Sequence, residues 1–427
     1  MRRFNIASVV VVVFFFVAIG GGCSFFIGDL LDDARVNIAE GEGEGVEGEG
    51  EGTEGEGEAA EGEGEIDDND PACEEDERLL VVRDDRSGSG VDALQVYDLR
   101  PGSFRRRFAD SNDQNVDLVN DNSDAQNNGF GAASVALGSD DRLYLVGERF
   151  VYVLRKSSLL QRDIDGNPML TIPGFSRYTS AQVLGGHIVL AGSDVVERDE
   201  DAPFGTAMTV LKDGDDYGRS VAFTVSGTNF VAVVGAFGYV LFTDTGPAGA
   251  PVVGTNIDVE FDGGRFNTYG GGRAARKGIA FDPTTRSLLV GDFGRVVVAK
   301  ETDGFDALQN DGSGDLLIAG AEQTEVQGIA ARGGSAWVLL GRSSNNLLKI
   351  DLTTSPPTTI DQATIDTDGF GDSITVGCRR VIVAGFNGIF AVSRDTLDAA
   401  GNVGVLDVEE VRLVRRIELG LDGDDGT

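Results

Sequence analysis

Short apolar runs that end at a glycine recur along the chain after residue 78. Three copies share one layout, in which an apolar strand, a glycine and a tight turn with a second glycine precede another apolar strand. They are FVAVVGAFGYVLF (230–242), SLLVGDFGRVVVA (287–299) and RVIVAGFNGIFAV (380–392). Such runs predict β-hairpins, and the paired glycines would allow the positive φ values that tight hairpin turns need.

Weaker copies extend the repeat to seven units. They are RLYLVGERFVYVL (142–154), HIVLAGSDVVERD (187–199), AWVLLGRSSNNLLKIDL (336–352) and a first unit, RLLVVRDDRSGSGVDALQVYDL (78–99). The strand-ending glycines stand at positions 147, 192, 235, 291, 341 and 385. Many units also have an upstream strand: AASVALG (132–138), KGIAFDP (277–283), QGIAARG (327–333) and DSITVG (372–377).

A period in the forties with two to four strands per unit is the spacing of propeller blades. The chain therefore resembles the broad β-propeller group from about residue 76 to 421. We predict an all-β fold with a seven-bladed propeller, in which VRLVRRIEL (411–419) completes a neighbouring blade. A pair of β-sandwiches or a β-solenoid stays open as an alternative.

The N-terminus, MRRFNIASVVVVVFFFVAIGGGC, has a basic pair, an apolar stretch and small residues before Cys23. This layout predicts a signal peptide over residues 1–22, since the apolar stretch is shorter than a helix needs to cross a bilayer. The segment resembles the lipobox of bacterial lipoproteins, although Gly20 stands where that family usually has Leu. The resemblance implies that Cys23 is lipidated and, with Ser24 after it, that the protein is an outer-membrane lipoprotein, periplasmic or surface-exposed. An ordinary secretory signal or an uncleaved anchor is the alternative.

Residues 23–72 contain the run EGEGEGVEGEGEGTEGEGEAAEGEGE and predict a disordered acidic stalk, because Gly and Glu bury no apolar surface. Metal capture and mimicry of a polyanion are the competing interpretations. The net charge of the chain is −36, of which 19 negative charges lie between Glu40 and Glu77. The charge of −17 that remains for the rest of the chain argues against nucleic acid as a partner. Residues 422–427 form an acidic tail after a domain predicted at 73–421.

Cys73 and Cys378 remain if Cys23 is lipidated, and an exported chain meets conditions that permit disulfides. We predict that they form a disulfide joining the first and last blades, with two unpaired thiols as the alternative.

Candidate chemistry is sparse. His187 is the only histidine, which excludes a two-histidine zinc site, and we read it as a structural or surface residue.

QNDGSGDLLIAGA (309–321) resembles the calcium loop of integrin-type FG-GAP repeats, which implies Asp311 and Asp315 as calcium ligands; solvated turn carboxylates are the alternative. The segment FRRRF contains Arg105, Arg106 and Arg107, which could contact an anion or a carbohydrate. The alternative is an ordinary strand with exposed arginines.

The predicted function is a non-catalytic binding or scaffold module, held at the membrane by its lipid anchor. It resembles the propeller lipoprotein of outer-membrane barrel assembly in anchor and architecture. We expect a monomer with no cofactor and a protein or glycan partner, recognised by the long stretches 101–131 and 246–276. The alternative is a propeller hydrolase or lactonase with a carboxylate-bound central metal. Three or more Asp, Glu or Asn residues from different blades in a central channel would favour that enzyme, and an apolar or glycine-lined channel would favour the scaffold.

Overall fold

The computed structural model divides the chain into two compact units, Met1–Gly64 and Glu65–Thr427. It describes residues 77–83, 94–100, 103–106, 132–147, 151–156, 170, 178–212, 217–235, 238–244, 251–252, 278–292, 295–303, 315–317, 325–341, 346–365, 371–385, 388–403, 408–415 and 419. All of these belong to the second unit. The predicted signal peptide, Cys23, the acidic stalk, Cys73 and the acidic tail lie outside the described residues and stay predictions.

The described residues form β-strands and one short 3₁₀ turn, Glu301–Asp303, so the predicted all-β class is confirmed. The strands make seven antiparallel sheets. Sheet 1 contains β1 (Glu77–Arg83), β2 (Leu94–Arg100), β3 (Ser103–Arg106) and β27 (Val408–Arg415), and sheet 2 contains β4 (Ala132–Leu137), β5 (Arg142–Gly147) and β6 (Val151–Arg155). Sheet 3 contains β7 (Tyr178–Leu184), β8 (His187–Gly192), β9 (Val195–Asp199) and β10 (Thr209–Lys212), and sheet 4 contains β11 (Tyr217–Val225), β12 (Thr228–Gly235), β13 (Gly238–Asp244) and β14 (Pro251–Val252). Sheet 5 contains β15 (Ile279–Asp282), β16 (Ser287–Asp292), β17 (Arg295–Lys300) and β18 (Asp315–Leu317); sheet 6 contains β19 (Val326–Arg332), β20 (Ser335–Leu340), β21 (Leu347–Asp351) and β22 (Thr358–Ala363); and sheet 7 contains β23 (Gly371–Val376), β24 (Arg380–Gly385), β25 (Gly388–Ser393) and β26 (Ala399–Val403).

Sheet 1 differs from the other six in its strand order. The other sheets follow the chain, strand by strand, whereas sheet 1 has the order β27-β1-β2-β3. The last strand of the chain therefore pairs with the first, and Leu80 lies opposite Arg412. The strand predicted from VRLVRRIEL thus joins the N-terminal hairpin, with its bounds shifted a few residues toward the N-terminus.

Each sheet has one edge strand that contacts its counterparts in the two neighbouring sheets. We call these seven the inner strands: β27, β4, β7, β11, β15, β19 and β23. The contacts run from β27 to β4, β4 to β7, β7 to β11, β11 to β15, β15 to β19, β19 to β23 and from β23 back to β27. The order of contacts therefore returns to the sheet where it began.

Seven apolar clusters fill the spaces between successive sheets, one for each neighbouring pair. Strand β1 shows how the sequence achieves this. Leu80 and Val82 pack toward sheet 2, whereas Leu79 and Val81 pack toward sheet 7. Because successive side chains of a strand point to opposite faces, a sheet covered on both faces needs a continuous apolar run. This explains why the runs are apolar throughout.

The strand-ending glycines lie near a shift in strand register that recurs from sheet to sheet. In six sheets the register shifts near the start of the inner strand. In four of them the residue before the shift lies opposite the strand-ending glycine, as in Tyr178–Gly192 and Gly371–Gly385. A β-bulge at this point bends the inner strand and increases its twist.

The predicted role of positive φ is wrong at Gly291. No positive φ is found there; a Cβ atom would instead lie 2.4 Å from Cγ1 of Val326 in the next sheet. Among the described residues, the glycines with φ between 60° and 79° lie in turns that connect first and second strands, such as Gly185 and Gly186. Gly291 is therefore required for close packing between sheets and not for a turn.

Candidate functional site: a cavity at the inner strands

A cavity of about 340 Å³ is lined by six of the seven inner strands, β7, β11, β15, β19, β23 and β27. Its volume falls within the roughly 300–1,000 Å³ of ligand pockets in general. We call the part formed by β7, β11 and β27 the polar wall, made of Ser180, Gln182, Arg219, Ser220, Glu410 and Arg412. We call the part formed by β15 and β19 the apolar wall, made of Ile279, Ala280, Phe281, Ile329, Ala330 and Ala331.

Glu410 is the carboxylate of the polar wall. Its Oε2 accepts a hydrogen bond of 3.1 Å from the backbone N–H of Val135 in β4. The same oxygen lies 3.5 Å from Nη1 of Arg219, and Oε1 lies 3.9 Å from Nε of Arg412. The side chains of Glu410 and Arg219 are each 12% exposed, so this charge pair is shielded from most of the solvent.

Arg219 connects inner strands that are not neighbours. It lies on β11, and its Nη1 donates to the carbonyl of Thr179 on β7 at 3.2 Å. Its Nη2 donates to the carbonyl of Glu409 on β27. Because β4 and β7 lie between β27 and β11 in the order of contacts, Arg219 ties sheet 4 to sheet 1 past sheets 2 and 3.

Arg412 makes the corresponding bonds from β27. Its Nη1 donates to the carbonyl of Val135 at 2.7 Å, and its Nη2 donates to Oε1 of Gln182 at 3.0 Å. The amide nitrogen of Gln182 in turn donates to the carbonyl of Ser220 at 2.8 Å. These bonds link β27, β4, β7 and β11 in sequence.

Hydroxyl groups satisfy further backbone groups along the inner strands. Ser180 Oγ and Ser220 Oγ are 2.7 Å apart, and Ser180 Oγ also accepts from the backbone N–H of Ser220 at 3.0 Å. Ser134 Oγ accepts from the backbone N–H of Ala181 at 3.1 Å. An unpaired buried backbone group is costly, so these side chains replace the ladder partner that an edge strand lacks.

Strand β23 extends the same pattern to sheet 7. Ser373 Oγ accepts from the backbone N–H of Val411 at 3.2 Å, and Thr375 Oγ1 accepts from that of Leu413 at 3.3 Å. Both acceptors belong to β23 and both donors to β27. The closing strand is therefore hydrogen-bonded by side chains on both sides.

The apolar wall offers no polar side chain among the residues that line it. The ring of Phe281 stacks on Phe223 of β11, with centroids 4.1 Å apart and planes 10° apart. Ile279 and Ile329 are buried. Ala280 and Ala330 are buried as well, so a ligand on this side of the cavity would meet mainly Phe281 and Ala331.

The described residues that line the cavity carry a net charge of +1, from two arginines and one glutamate. The whole chain has a charge of −36. The cavity is thus a local positive region in an acidic protein, and charges inside a partly enclosed cavity attract ions of opposite sign more strongly than charges in open water.

A second buried polar cluster lies where sheets 2 and 3 meet. Glu200 accepts from the hydroxyl of Tyr144 at 2.9 Å and from the backbone N–H of Ser139 at 3.1 Å. Burial, and then the charge of Glu200, raise the pKa of Tyr144, so its hydroxyl stays protonated as a donor. Arg142 donates to the carbonyl of Glu200. The cluster fastens the turn after β4 to the turn after β9.

None of the site residues predicted from sequence is among the described residues that line the cavity. Arg105 and Arg106 lie on β3, the strand of sheet 1 farthest from β27, and Arg107 lies outside the described residues. Asp315 begins β18, at the edge of sheet 5 opposite β15, and Asp311 lies outside the described residues. Their proposed ligands stay predictions.

His187 and Cys378 have distinct environments. His187 begins β8 and is half-buried, and its buried Nδ1 has no hydrogen-bond partner among the described residues. Cys378 is buried and disulfide-bonded. Its predicted partner Cys73 lies outside the described residues. The backbone N–H of Cys378 donates to Oε1 of Glu77 at 2.8 Å, which places it beside the first strand of the chain.

No group of three or more His, Cys, Asp or Glu residues that could hold a metal ion is found within the part of the chain that the structure describes. Over the same residues, none of the helical segments has the length and apolar character to span a membrane.

Comparison with known proteins gives no family. No protein-family model matches the chain, and no curated protein matches it. Among solved structures, a similar one is the crystal structure of the computationally designed Ika8 protein, with 12% sequence identity. The match covers 75% of this chain and 83% of that chain, with a TM-score of 0.45.

The polar wall itself was not predicted. Its residues are scattered over the chain, from Ser180 to Arg412, and none forms a local motif. One signal was present: Glu410 and Arg412 interrupt the apolar positions of a strand that buries its apolar residues on both faces.

Proposed function

We propose that the protein is an exported, lipid-anchored seven-bladed β-propeller that acts as a binding module through the cavity at its inner strands. The observation that carries this proposal is the cavity, which combines a charged wall and an apolar wall in a volume suited to a small organic molecule.

The propeller architecture is supported by three independent observations. The seven inner strands contact one another in an order that returns to its start. One apolar cluster lies between each pair of successive sheets, including sheets 7 and 1. The C-terminal strand pairs with the N-terminal strand, a closure that propellers commonly use.

Binding is favoured over the alternative hydrolase or lactonase. A central metal requires several carboxylates, and the lining described here has one, Glu410, which faces two arginines. Two guanidinium groups oppose a divalent cation in the same space.

The anchor and stalk give the module its place in the cell. In this proposal Cys23 carries the lipid and residues 24–72 hold the domain away from the outer membrane, on its periplasmic or external side. A protein or glycan partner on the stretches 101–131 and 246–276 stays a prediction, because those stretches lie largely outside the described residues.

Hydrogen exchange of the full chain, in a non-ionic detergent, tests the binding function. A panel of small organic compounds, both charged and neutral, is added in turn. We expect at least one compound to slow exchange in β7, β11 and β27. Stoichiometric bound metal with ester or lactone hydrolysis, or no protection by any compound, would contradict the proposal.

Cell fractionation tests the location. We expect the wild-type protein in the outer membrane and the Cys23→Ser variant released from it. Equal membrane association of the two proteins would show that Cys23 carries no anchor.

A further inference from the structure

The inner-strand cavity has a charge and a shape that define a ligand class more narrowly than the binding function does. We infer that it binds a small organic monoanion, such as a carboxylate with a short apolar body. The acid group would lie between Arg219 and Arg412, and the body would lie against the apolar wall. This inference rests on the proposed function and specifies its ligand.

The charge balance favours a single negative charge. Arg219 and Arg412 share one carboxylate, Glu410, at distances of 3.5 and 3.9 Å, longer than a direct charge-assisted hydrogen bond. The pair is therefore incompletely neutralised by the described residues. A monoanion would bring the cavity to neutrality, whereas a cation or a dianion would leave a net charge in a partly enclosed site.

The guanidinium groups also keep hydrogen-bonding capacity. Each guanidinium has five N–H donors. Within the described part of the chain, Arg219 donates to two backbone carbonyls, and Arg412 donates to one carbonyl and to Gln182. These bonds fix the orientation of both groups, so a ligand acid group would meet pre-positioned donors.

The apolar wall would contact the uncharged body of the ligand. The residues of β15 and β19 that line the cavity have apolar side chains, with Phe281 held in place by stacking on Phe223. Within this wall the ring of Phe281 and the methyl group of Ala331 are only half-buried, whereas the other side chains are buried in the clusters between sheets. A short aliphatic or aromatic body would cover these two side chains, which a simple inorganic anion would not.

Calorimetric titration of the full chain with matched probes tests this inference. Hexanoate has the proposed acid group and body, hexanamide has the same body without the charge, and acetate has the charge with almost no body. We expect hexanoate to bind at least about tenfold more tightly than either control, because charge-assisted hydrogen bonds and apolar burial each contribute about that factor. Equal binding of hexanoate and hexanamide, or no binding of hexanoate, would overturn the inference.

Variants that should weaken binding, together with one that should strengthen it, separate ligand recognition from structural damage. Arg219→Gln and Arg412→Gln should each weaken hexanoate binding about tenfold, whereas Arg415→Gln, on the exposed end of the same strand β27, should leave it unchanged. Glu410→Gln keeps the shape of the side chain and removes the competing charge, so it should tighten hexanoate binding several-fold. Weaker binding by Glu410→Gln would contradict the inference.

The outcomes also distinguish this inference from the proposed function. If neutral compounds protect the inner strands from exchange as well as anions do, the cavity is a binding site and only the ligand class is wrong. If no compound of either kind protects them, the binding function itself is wrong.

Discussion

The polar wall of the cavity, on β7, β11 and β27, differs from the apolar wall on β15 and β19 in how inner strands are connected. On the polar side, hydroxyl, amide, guanidinium and carboxylate groups bond to backbone groups of other inner strands. On the apolar side, neighbouring sheets are connected through buried aliphatic and aromatic side chains and close glycine contacts. Side-chain hydrogen bonds therefore connect the inner strands from β23 through β27, β4 and β7 to β11, and packing predominates at β15 and β19.

This difference has a physical reason. Arg412 of the closing strand β27 reaches Val135 of β4 and Gln182 of β7 from more than two hundred residues away in sequence, and each of these hydrogen bonds requires one particular partner at a defined distance and angle, which apolar contact does not. The consecutive sheets 5 and 6 are connected by a short stretch of chain, so packing alone can keep them together. In the proposed function the polar wall then also binds the ligand.

The largest loss of stability should come from a substitution on the apolar side of the cavity. Gly291→Val adds a side chain whose first carbon would lie 2.4 Å from Cγ1 of Val326, so the contact between sheets 5 and 6 must open. Such overpacking should lower the free energy of unfolding by about 3 kcal/mol, measured by denaturant titration. The matched control is Gly205→Val, where a Cβ meets no atom within 4 Å and the change should be within about 0.5 kcal/mol.

A smaller loss of stability is expected from a substitution in the polar wall. Glu410→Ala removes the acceptor of the Val135 N–H and leaves Arg219 and Arg412 without their carboxylate. We expect a loss of about 2 kcal/mol in the free energy of unfolding, since a buried donor and two charges lose a partner.

Glu301→Ala is the control for that change. It breaks the more exposed ion pair with Arg286, whose side chain is 45% exposed, and should cost less than about 1 kcal/mol. If both variants lose the same stability, the polar wall contributes no more than a surface ion pair.

The smallest effect concerns the hydroxyl pair between β7 and β11. Ser180→Ala and Ser220→Ala should each cost about 1 kcal/mol, because each removes one side of the contact between the two Oγ atoms. The double variant should cost less than the sum, since both changes remove the same bond. Strict additivity would show that the two hydroxyls act independently.

The same comparison explains which strands could be predicted from sequence. The inner strands of the apolar wall, in KGIAFDP and QGIAARG, follow the apolar pattern and were predicted. Strands β7 (YTSAQVL) and β11 (YGRSVAFTV) were not, because the polar side chains that form the cavity wall interrupt their apolar runs. In β7 and β11 the residues of the candidate site thus obscured the strands that carry them, whereas β27 was predicted from VRLVRRIEL although it carries Arg412.

Outer strands were missed for another reason. Strand β22 (TTIDQA) is largely exposed and contributes little to the core, so its sequence has no apolar run. The candidate site could not be predicted for a topological reason as well: Arg219 and Glu410 meet only because the chain end returns to the first sheet. Sequence spacing contains no sign of that contact.

Hydrogen exchange at single residues of β27 tests the central claim, the closure of the ring by the C-terminal strand, most directly. The N–H groups of Val411 and Leu413 donate to Ser373 Oγ and Thr375 Oγ1, and the strand is paired with β1 along its length. The account predicts that these two amides exchange as slowly as those of Leu79 and Val81 in β1. Exchange of Val408–Arg415 at the rate of a free chain end would contradict it.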